Sequence, residues 1–461
     1  MKHQTYIFFL FIFCLCSCKK FVDVGAPKNQ IASAQVYTDD RTATSAITGI
    51  YSQMISSGGF VSGSQLSIGF LMGLSADELK DYSNGPDLAP FYTNAVIPTN
   101  APLKNNLWQE GYKYIYDANS ALDGLNQSAS VTDATRSQLM GEAKFIRAFC
   151  HFYLVNLFGD VPLVLTTDYQ ANNIAPRTSK ATVYDQIITD LQDAKKLLAH
   201  DYAFAGGERT RPNKYAAQAL LARAYLYRQD WVNSEKEADS VIANGDQYTL
   251  LDDLNTVFLA NSQEAIWQLQ PVLPSLNTNE GQIFILSTAP TSAALSDNLL
   301  NAFEPGDNRR KNWIDSITIS STTYFYAYKY KVQSGIPVTE YSMVVRLGEQ
   351  YLIRAEARAQ RNNLDGAKAD INMIRHRAGL PDVAGNDLPT MLQQIQHERQ
   401  VELFTELGHR WFDLARTASL DSVMTVVSAT KGSSWSAYRN IFPVPQTEIQ
   451  NDINLHQNPG Y

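Results

Sequence analysis

The sequence predicts a mainly α-helical fold built from packed helix pairs, with a long loop-rich region and a few short strands. Three observations favour this class. Apolar residues recur at three- and four-residue steps along most of the chain, one helix–turn–helix pattern occurs twice, and two long segments lack such periodicity. The chain has 461 residues, of which 44% are hydrophobic and 18% are charged. This composition is typical of a globular protein and not of a disordered one.

The charge balance limits the choice of partners. The chain contains 38 Lys and Arg residues against 46 Asp and Glu residues, which gives a formal net charge of -8. Nucleic acids and anionic lipid surfaces attract basic proteins. We therefore expect no nucleic-acid partner.

The first residues predict an export signal with a lipid anchor. The apolar run Tyr6–Phe13 is too short to cross a membrane and fits the hydrophobic part of a signal peptide. The following Leu15-Cys16-Ser17-Cys18 resembles a bacterial lipobox. It predicts a signal peptide at residues 1–17, lipidation of Cys18 and a tether to the membrane through acyl chains. Cys16 is less suitable, because Leu15 would then precede the cut, where a small residue is needed. The alternative is a plain signal peptide with incidental cysteines.

The cysteine count predicts a body without disulfides. Of four cysteines, Cys14 and Cys16 leave with the signal peptide and Cys18 carries lipid, so Cys150 remains alone. Cys150 lies on an apolar helix face, where an inert, buried thiol is expected.

The clearest helix pattern is Arg136–Leu157, which ends before Gly159 and Pro162. Its apolar positions share one face, as in a half-buried helix. The same periodicity predicts further helices at about Ala43–Ile55, Trp108–Leu125, Val183–Leu198, Tyr215–Gln229, Val232–Ala243, Gly348–Gln360, Leu364–Arg377, Thr390–Glu406 and Gly408–Arg416.

Two of these helix pairs resemble each other at an offset of 133 residues, which aligns Ala222 with Ala355 and Trp231 with Leu364. Each copy has small residues on its first helix, then a short turn and a second amphipathic helix. Small residues let paired helices approach closely, as they do in tetratricopeptide (TPR) repeats. Neither copy meets the full repeat consensus, so the sequence predicts TPR-like pairs.

Two segments, Gly58–Lys104 and Leu250–Pro337, are irregular and rich in turn-forming residues. Long structured loops in a helical domain often carry binding function. The second segment contains one strand-like stretch, Thr323–Val332. A strand there would place four tyrosines on one face, Tyr324, Tyr326, Tyr328 and Tyr330.

Common catalytic signatures are missing from the sequence. His397-Glu398 is not followed by the second histidine of a zinc protease motif, and there is no G-x-S-x-G elbow, Walker loop or G-x-G-x-x-G. Glu398 and Glu402 lie one helical turn apart, and with Arg399 and Arg410 nearby they predict a structural ion-pair network. We therefore expect that the protein is not an enzyme.

No cofactor is predicted from the sequence. A structural calcium ion stays open, because Asp252, Asp253 and Asp307 are loop carboxylates without EF-hand spacing.

The aromatic residues of the irregular segments suggest a sugar-binding role. Sugar rings have apolar faces that stack on aromatic side chains, while Asn, Asp, Arg or Gln orient their hydroxyls. About half of these residues are expected simply to cap the core, and Tyr330 is assigned to the core. The candidate ligand contacts are Asp81, Tyr82, Phe91, Tyr92, Asn94, Trp313, Tyr324 and Tyr326.

Several motifs, in order along the whole chain, resemble those of the SusD/RagB-like family of nutrient-binding outer-membrane lipoproteins. They include the Arg147-Ala148-Phe149 motif with Phe158–Leu163, the segment Arg346–Ala357, the pair His397–Leu403 and Gly408–Leu414, the weaker matches Pro176–Ser179 and Asp307–Arg310, and the terminal Phe442–Pro445 and Gln457–Tyr461. These motifs look structural, so they transfer no ligand-binding residue to this chain.

The resemblance implies one domain over residues 18–461, a TPR-like helix-pair superhelix of four units whose ligand-binding loops cover about 58–104 and 250–337. It implies noncatalytic binding of a glycan or other oligomeric nutrient at the cell surface. It also implies delivery to a SusC-like TonB-dependent outer-membrane transporter by a lipid-anchored protein that faces the cell exterior.

Two other functions stay open at this stage, a TPR-type protein-interaction scaffold without its own small-ligand site and a cell-surface hydrolase. The ligand also stays open among starch-like glucan, host glycan, pectin and peptide.

Overall fold

The computed structural model describes residues 36–56, 60–62, 64–83, 85–273 and 276–461. The predicted signal peptide and Cys18 lie outside these residues. Within them, every helix is either too short or too polar to span a bilayer.

The mainly helical class is confirmed, and each helix predicted from periodicity is present with its ends shifted by a few residues. A π-helical segment, Leu103–Gln109, runs directly into the second long helix. The helices are α1 Asp40–Ser56, α2 Ile68–Ser75, α3 Ala89–Tyr92, α4 Glu110–Gln127, α5 Asp133–Phe158, α6 Tyr169–Asn172, α7 Lys180–Leu197, α8 Lys214–Tyr227, α9 Trp231–Ile242, α10 Asn279–Phe284, α11 Asp297–Ala302, α12 Asn308–Asn312, α13 Leu347–Gln360, α14 Leu364–Arg377, α15 Leu388–Leu403, α16 His409–Arg416, α17 Leu420–Thr430 and α18 Gln446–Asn451.

The strands of the described residues form antiparallel pairs of two strands each. They join loops to each other and to the helices, and they do not build a sheet core. The pairs are β1 Leu79–Asp81 with β5 Ala293–Leu295, β2 Val161–Pro162 with β3 Arg177–Thr178, β4 Ala265–Leu269 with β8 Ser342–Arg346, and β6 Ile314–Ile319 with β7 Thr322–Ala327.

Consecutive helices stack into the TPR-like superhelix. Helix α5 packs between α4 and α7, α8 packs on α7 and α9, and α9 packs on α13. On α5, Arg147 forms two hydrogen bonds of 2.8 and 2.7 Å to the carboxylate of Asp190 on α7. Cys150 is buried on the same helix, as expected, and this burial raises the pKa of its thiol.

The two similar helix pairs, α8–α9 and α13–α14, also share the backbone conformation of their turns. Gln229 and Asn362, which are 133 residues apart, both have positive φ angles, of 58° and 62°. The next residue in each copy caps the second helix, since Asp230 accepts from the Asn233 N–H and Asn363 from the Gly366 N–H. The repeat is therefore a structural unit.

The irregular segments contain more regular structure than the sequence predicts. Helix α2 has no apolar periodicity because every residue along it is buried. The predicted strand Thr323–Val332 is shorter, since β7 ends at Ala327. Beyond it the chain turns inward, and Tyr330 lies in the core as predicted, its ring 5.2 Å from that of Phe258.

Asn458, near the C-terminus, contacts residues of three other motifs, Phe158, Arg177 and Phe442. The amide of buried Asn458 donates to the carbonyl oxygens of Phe158, at 2.9 Å, and Phe442, at 2.7 Å. Its oxygen accepts a hydrogen bond from Arg177, and the Phe442 N–H donates to Leu157 at 2.8 Å. These contacts explain why the motifs occur together, because each satisfies polar groups of the others.

The predicted ion-pair network around Glu398 and Glu402 is present and buried. Glu402 accepts from Arg346 at 2.6 Å, from Arg309 at 3.0 Å and from Arg377. Burial alone would raise the pKa of Glu402, but the three guanidinium groups hold it well below its usual range.

The arginine partners of this network differ from those expected. Arg399 pairs with Asp413 at 2.7 Å, and Arg410 pairs with Asp77 at 2.7 Å. Glu398 instead contacts Arg309, which lies on the short helix α12, at 2.6 Å. Sequence proximity suggested Arg399 and Arg410, but helix geometry directs them elsewhere.

Glu78, which precedes β1, is a second buried carboxyl group. Its Oε2 accepts from the Thr405 N–H at 3.3 Å. Desolvation and the neighbouring Asp77 raise its pKa to about 8. The folded state therefore holds a proton on Glu78 that an unfolded chain releases near pH 4.5.

We predict that Glu402→Gln lowers the free energy of unfolding by about 3–5 kcal/mol, because it removes from a buried network the one carboxylate that Arg309, Arg346 and Arg377 share. Chemical denaturation measures this cost. The matched control, Lys196→Gln, removes an exposed pair with Asp193 and should cost less than about 1 kcal/mol. Equal costs for the two variants would contradict the structural role of Glu402.

We predict that Glu78 makes the protein less stable as the pH rises from about 5 to 8. Over this range the folded state binds more protons than the unfolded state, so stability falls with pH and the loss is complete above pH 8. Glu78→Gln removes this contribution. Thermal unfolding at pH 5.5 and 8.5 should therefore show a smaller loss of stability in the variant, and an identical loss would contradict the assignment.

Candidate functional site

The pairing of β1 with β5 joins the two irregular segments. Leu79 lies opposite Leu295 and Asp81 opposite Ala293. The pairing continues beyond the strand, where the Tyr82 N–H donates to the Ser292 carbonyl oxygen at 2.8 Å. Strand β7 packs against β5. Residues from about 58–104 and 250–337 therefore meet at one surface.

Three half-buried tyrosines gather at this junction, Tyr82, Tyr92 and Tyr324. The rings of Tyr82 and Tyr324 meet edge to face, with centroids 5.5 Å apart and planes at 81°. Helix α3, which carries Tyr92, packs against β1. Desolvation, followed by the negative charge of Asp81, raises the pKa of Tyr92. We call these three residues the ring face.

Lysines support two of the rings. Lys431 Nζ lies 4.9 Å from the centroid of Tyr92 and donates to the carbonyl oxygens of Leu74 at 2.7 Å and Ser75 at 3.2 Å, at the end of α2. A cation at a helix C-terminus satisfies its free carbonyl groups. Lys80 Nζ lies 5.4 Å from the centroid of Tyr82. Lys431 thereby fixes the position of Tyr92 relative to α2.

Asp81 and Tyr326 border the ring face. Asp81 Oδ1 accepts from the Ser83 N–H at 2.9 Å and from the Ser83 hydroxyl at 2.7 Å, which holds the carboxylate in place. The Tyr326 hydroxyl donates to Asp315 at 3.2 Å. Burial and this carboxylate raise the pKa of Tyr326 to about 12. Tyr326 is only 8% exposed, so it offers a ligand little more than an edge.

Three of the residues expected to contact a ligand belong to the core, and the expectation is corrected. Phe91 is fully buried, with its ring 5.6 Å from that of Phe442. Trp313 is fully buried and donates from its indole nitrogen to Leu254 at 2.9 Å. Asn94, which has a φ angle of 54°, donates to the Ser75 carbonyl at 3.1 Å. These three side chains are buried within the fold and leave little surface for a ligand.

Carboxylates that could suggest a metal ion are occupied by other partners. Glu304, His397 and Glu398 have ligand-type atoms within 4.8 Å of one another. Arg375 contacts both glutamates, at 2.6 and 3.2 Å, and neutralises the charge that would attract a cation. Asp307, left open as a calcium ligand, is buried against Arg309 at 2.9 Å.

The arrangement favours binding of a flat, partly apolar molecule. The ring face presents aromatic surface with a fixed carboxylate and lysines around it, which is suited to stacking and to hydrogen bonds with hydroxyl groups. Sequence reasoning named the tyrosines and Asp81 as candidate ligand contacts, and that role stays a prediction. It missed Lys431, because nothing in the local sequence places this residue beneath Tyr92.

Two family models match the chain. One, described as "Starch-binding associating with outer membrane" and SusD-like, matches residues 86–226. The other, described as the SusD family, matches residues 304–461. The SusD-like protein P25 of Formosa agariphila is 26% identical over 100% of both chains.

Solved structures share the fold. A SusD superfamily protein from Bacteroides vulgatus has a TM-score of 0.79 and 22% identity, over 92% of this chain and 100% of the other. Surface glycan-binding protein A from Bacteroides thetaiotaomicron, in complex with laminarihexaose, has a TM-score of 0.76 and 19% identity, over 91% of this chain and 100% of the other. The two matching SusD family models, over residues 86–226 and 304–461, show that the chain belongs to the SusD/RagB-like family.

Proposed function

We propose that this protein binds a glycan at the ring face and does not cleave it. The observation that carries the proposal is the ring face itself, in which Tyr82 meets Tyr324 from the other irregular segment and the helix of Tyr92 packs against β1. These half-buried rings are held by neighbouring residues and keep part of their surface exposed. A sugar that stacks there gains contact area at little cost in side-chain ordering.

The neighbouring polar groups are arranged to select the ligand. Asp81 is fixed by Ser83 and accepts hydrogen bonds from hydroxyl groups, while exposed Lys80 and Asp297 provide charges of both signs. A mixed set of this kind suits a neutral glycan better than a strongly anionic one. Tyr326 completes the proposed contacts at the edge of the ring face.

Similar proteins support a glycan ligand. The laminarihexaose complex of the surface glycan-binding protein has the same fold, and one matching family model carries a starch-binding description. Both ligands are neutral glucans, which agrees with the mixed charge around the ring face.

We further propose that the protein works at the cell surface. In this proposal a lipid on Cys18 tethers it to the outer membrane, it faces the exterior, and it passes the glycan to a SusC-like TonB-dependent transporter. The order of motifs along the chain and the lipobox-like Leu15–Cys18 support this part of the proposal.

We predict that replacing Tyr82, Tyr92 and Tyr324 together by Ala weakens glycan binding about a hundredfold, since each stacked ring contributes roughly 1 kcal/mol. Native gels containing laminarin, soluble starch, pectin or mucin glycans identify a ligand, and titration calorimetry measures its affinity.

Tyr169→Ala, which removes a 66% exposed ring elsewhere, is the control. Unchanged affinity in the triple variant would contradict the site, and wild-type binding to none of the four would contradict the function.

We predict that Cys18→Ser abolishes lipid attachment. Cells grown with radiolabelled palmitate should label the wild-type chain and not the variant, and the variant should leave the membrane fraction. Cys16→Ser is the matched control and should still be labelled. Labelling that survives Cys18→Ser would overturn the anchor.

A further inference from the structure

A hollow of about 510 Å³ lies between α4, β2 and the C-terminal segment, and it shares no residue with the ring face. We propose that it is a second saccharide subsite, an inference that rests on the proposed function because it assumes a glycan ligand. Its volume is within the range of about 300–1,000 Å³ that is usual for small-molecule sites.

An aromatic stripe forms one wall of this hollow. Trp108, Tyr112 and Tyr116 follow each other at four-residue steps and all line it. The rings of Trp108 and Tyr112 are 5.1 Å apart, and the Tyr112 hydroxyl donates to the Pro162 carbonyl oxygen at 2.9 Å. Trp108 is buried, Tyr112 is half-buried and Tyr116 is 47% exposed. The stripe therefore leads from the core to an open ring.

The backbone beneath the stripe is unusual. Trp108 lies in the π-helical segment Leu103–Gln109, directly before α4 begins. Such segments are rare and are found frequently at functional sites. Here the π-helical turn sets the rotation at which Trp108 meets Tyr112, so the wall of the hollow depends on it.

Polar groups from other elements complete the rim. Asn172 is held by its amide, which donates to the Thr166 carbonyl at 2.9 Å, and Glu448 accepts from Gln109 at 3.0 Å. Asn173 and Asn451 are exposed at the same rim. These amides and carboxylates match the donors and acceptors of sugar hydroxyls.

The charges of the rim favour a neutral sugar. Lys113, which lines the hollow, is paired with Asp117 at 2.8 Å. Glu448 and Asp452 are acidic and line it as well. A phosphate, sulfate or uronate group would meet net negative charge, so the structure assigns this subsite to neutral saccharide units.

Hydroxyl-radical footprinting of the purified full chain measures how far a bound ligand protects each of the two sites from oxidation. The probes are laminarihexaose and maltohexaose, both neutral glucan hexasaccharides. If the inference is correct, at least one probe protects Tyr116 as well as the ring-face tyrosines, while exposed Tyr438, which lines neither site, is unaffected. Protection of the ring face without Tyr116 overturns the subsite and leaves the proposed function intact. Protection of neither site by either probe counts against both.

Variants test the subsite independently of the ring face. In a chain that already carries Ala at Tyr82, Tyr92 and Tyr324, the remaining affinity for the protecting hexasaccharide should fall about fivefold on Tyr116→Ala, which corresponds to one lost stacking contact. Tyr116→Phe keeps the ring and should retain the affinity. Equal affinity of the Ala and Phe variants overturns the subsite.

Discussion

The buried carboxylate of Glu402 is the interaction on which the helical and loop-rich parts of the protein depend. It receives Arg346 from the end of β8, Arg377 from α14 and Arg309 from α12 in the loop-rich region. None of these charges is exposed to solvent, so each requires the others. Lys329, just beyond β7, donates to the backbone carbonyl of Glu402 at 2.8 Å and attaches the β6–β7 hairpin to the same centre.

The ring face is a consequence of this arrangement. Lys329 anchors the hairpin that carries Tyr324 to the backbone of Glu402. The three-residue β1–β5 pair brings Tyr82 into contact with Tyr324. A long α-helical body thus positions a small aromatic surface made of loops.

Periodicity was enough to predict the helices and the repeated pair, because half-buried helices record their burial in the spacing of apolar residues. It could not predict α2, which is buried on all sides, nor the end of β7 at Ala327. For the site, composition identified suitable residues but not their exposure. Trp313 and Tyr82 are both aromatic residues of the irregular segments, and the local sequence does not distinguish their exposure. Contacts with residues that are distant in sequence determine that Trp313 is buried while Tyr82 is half-buried.

A crystal structure of the protein soaked with a glucan hexasaccharide tests the binding role of the ring face most directly. We expect sugar density stacked on Tyr82, Tyr92 or Tyr324, with a hydroxyl within hydrogen-bond distance of Asp81. An ordered sugar bound elsewhere, with all three rings bare, would contradict that role.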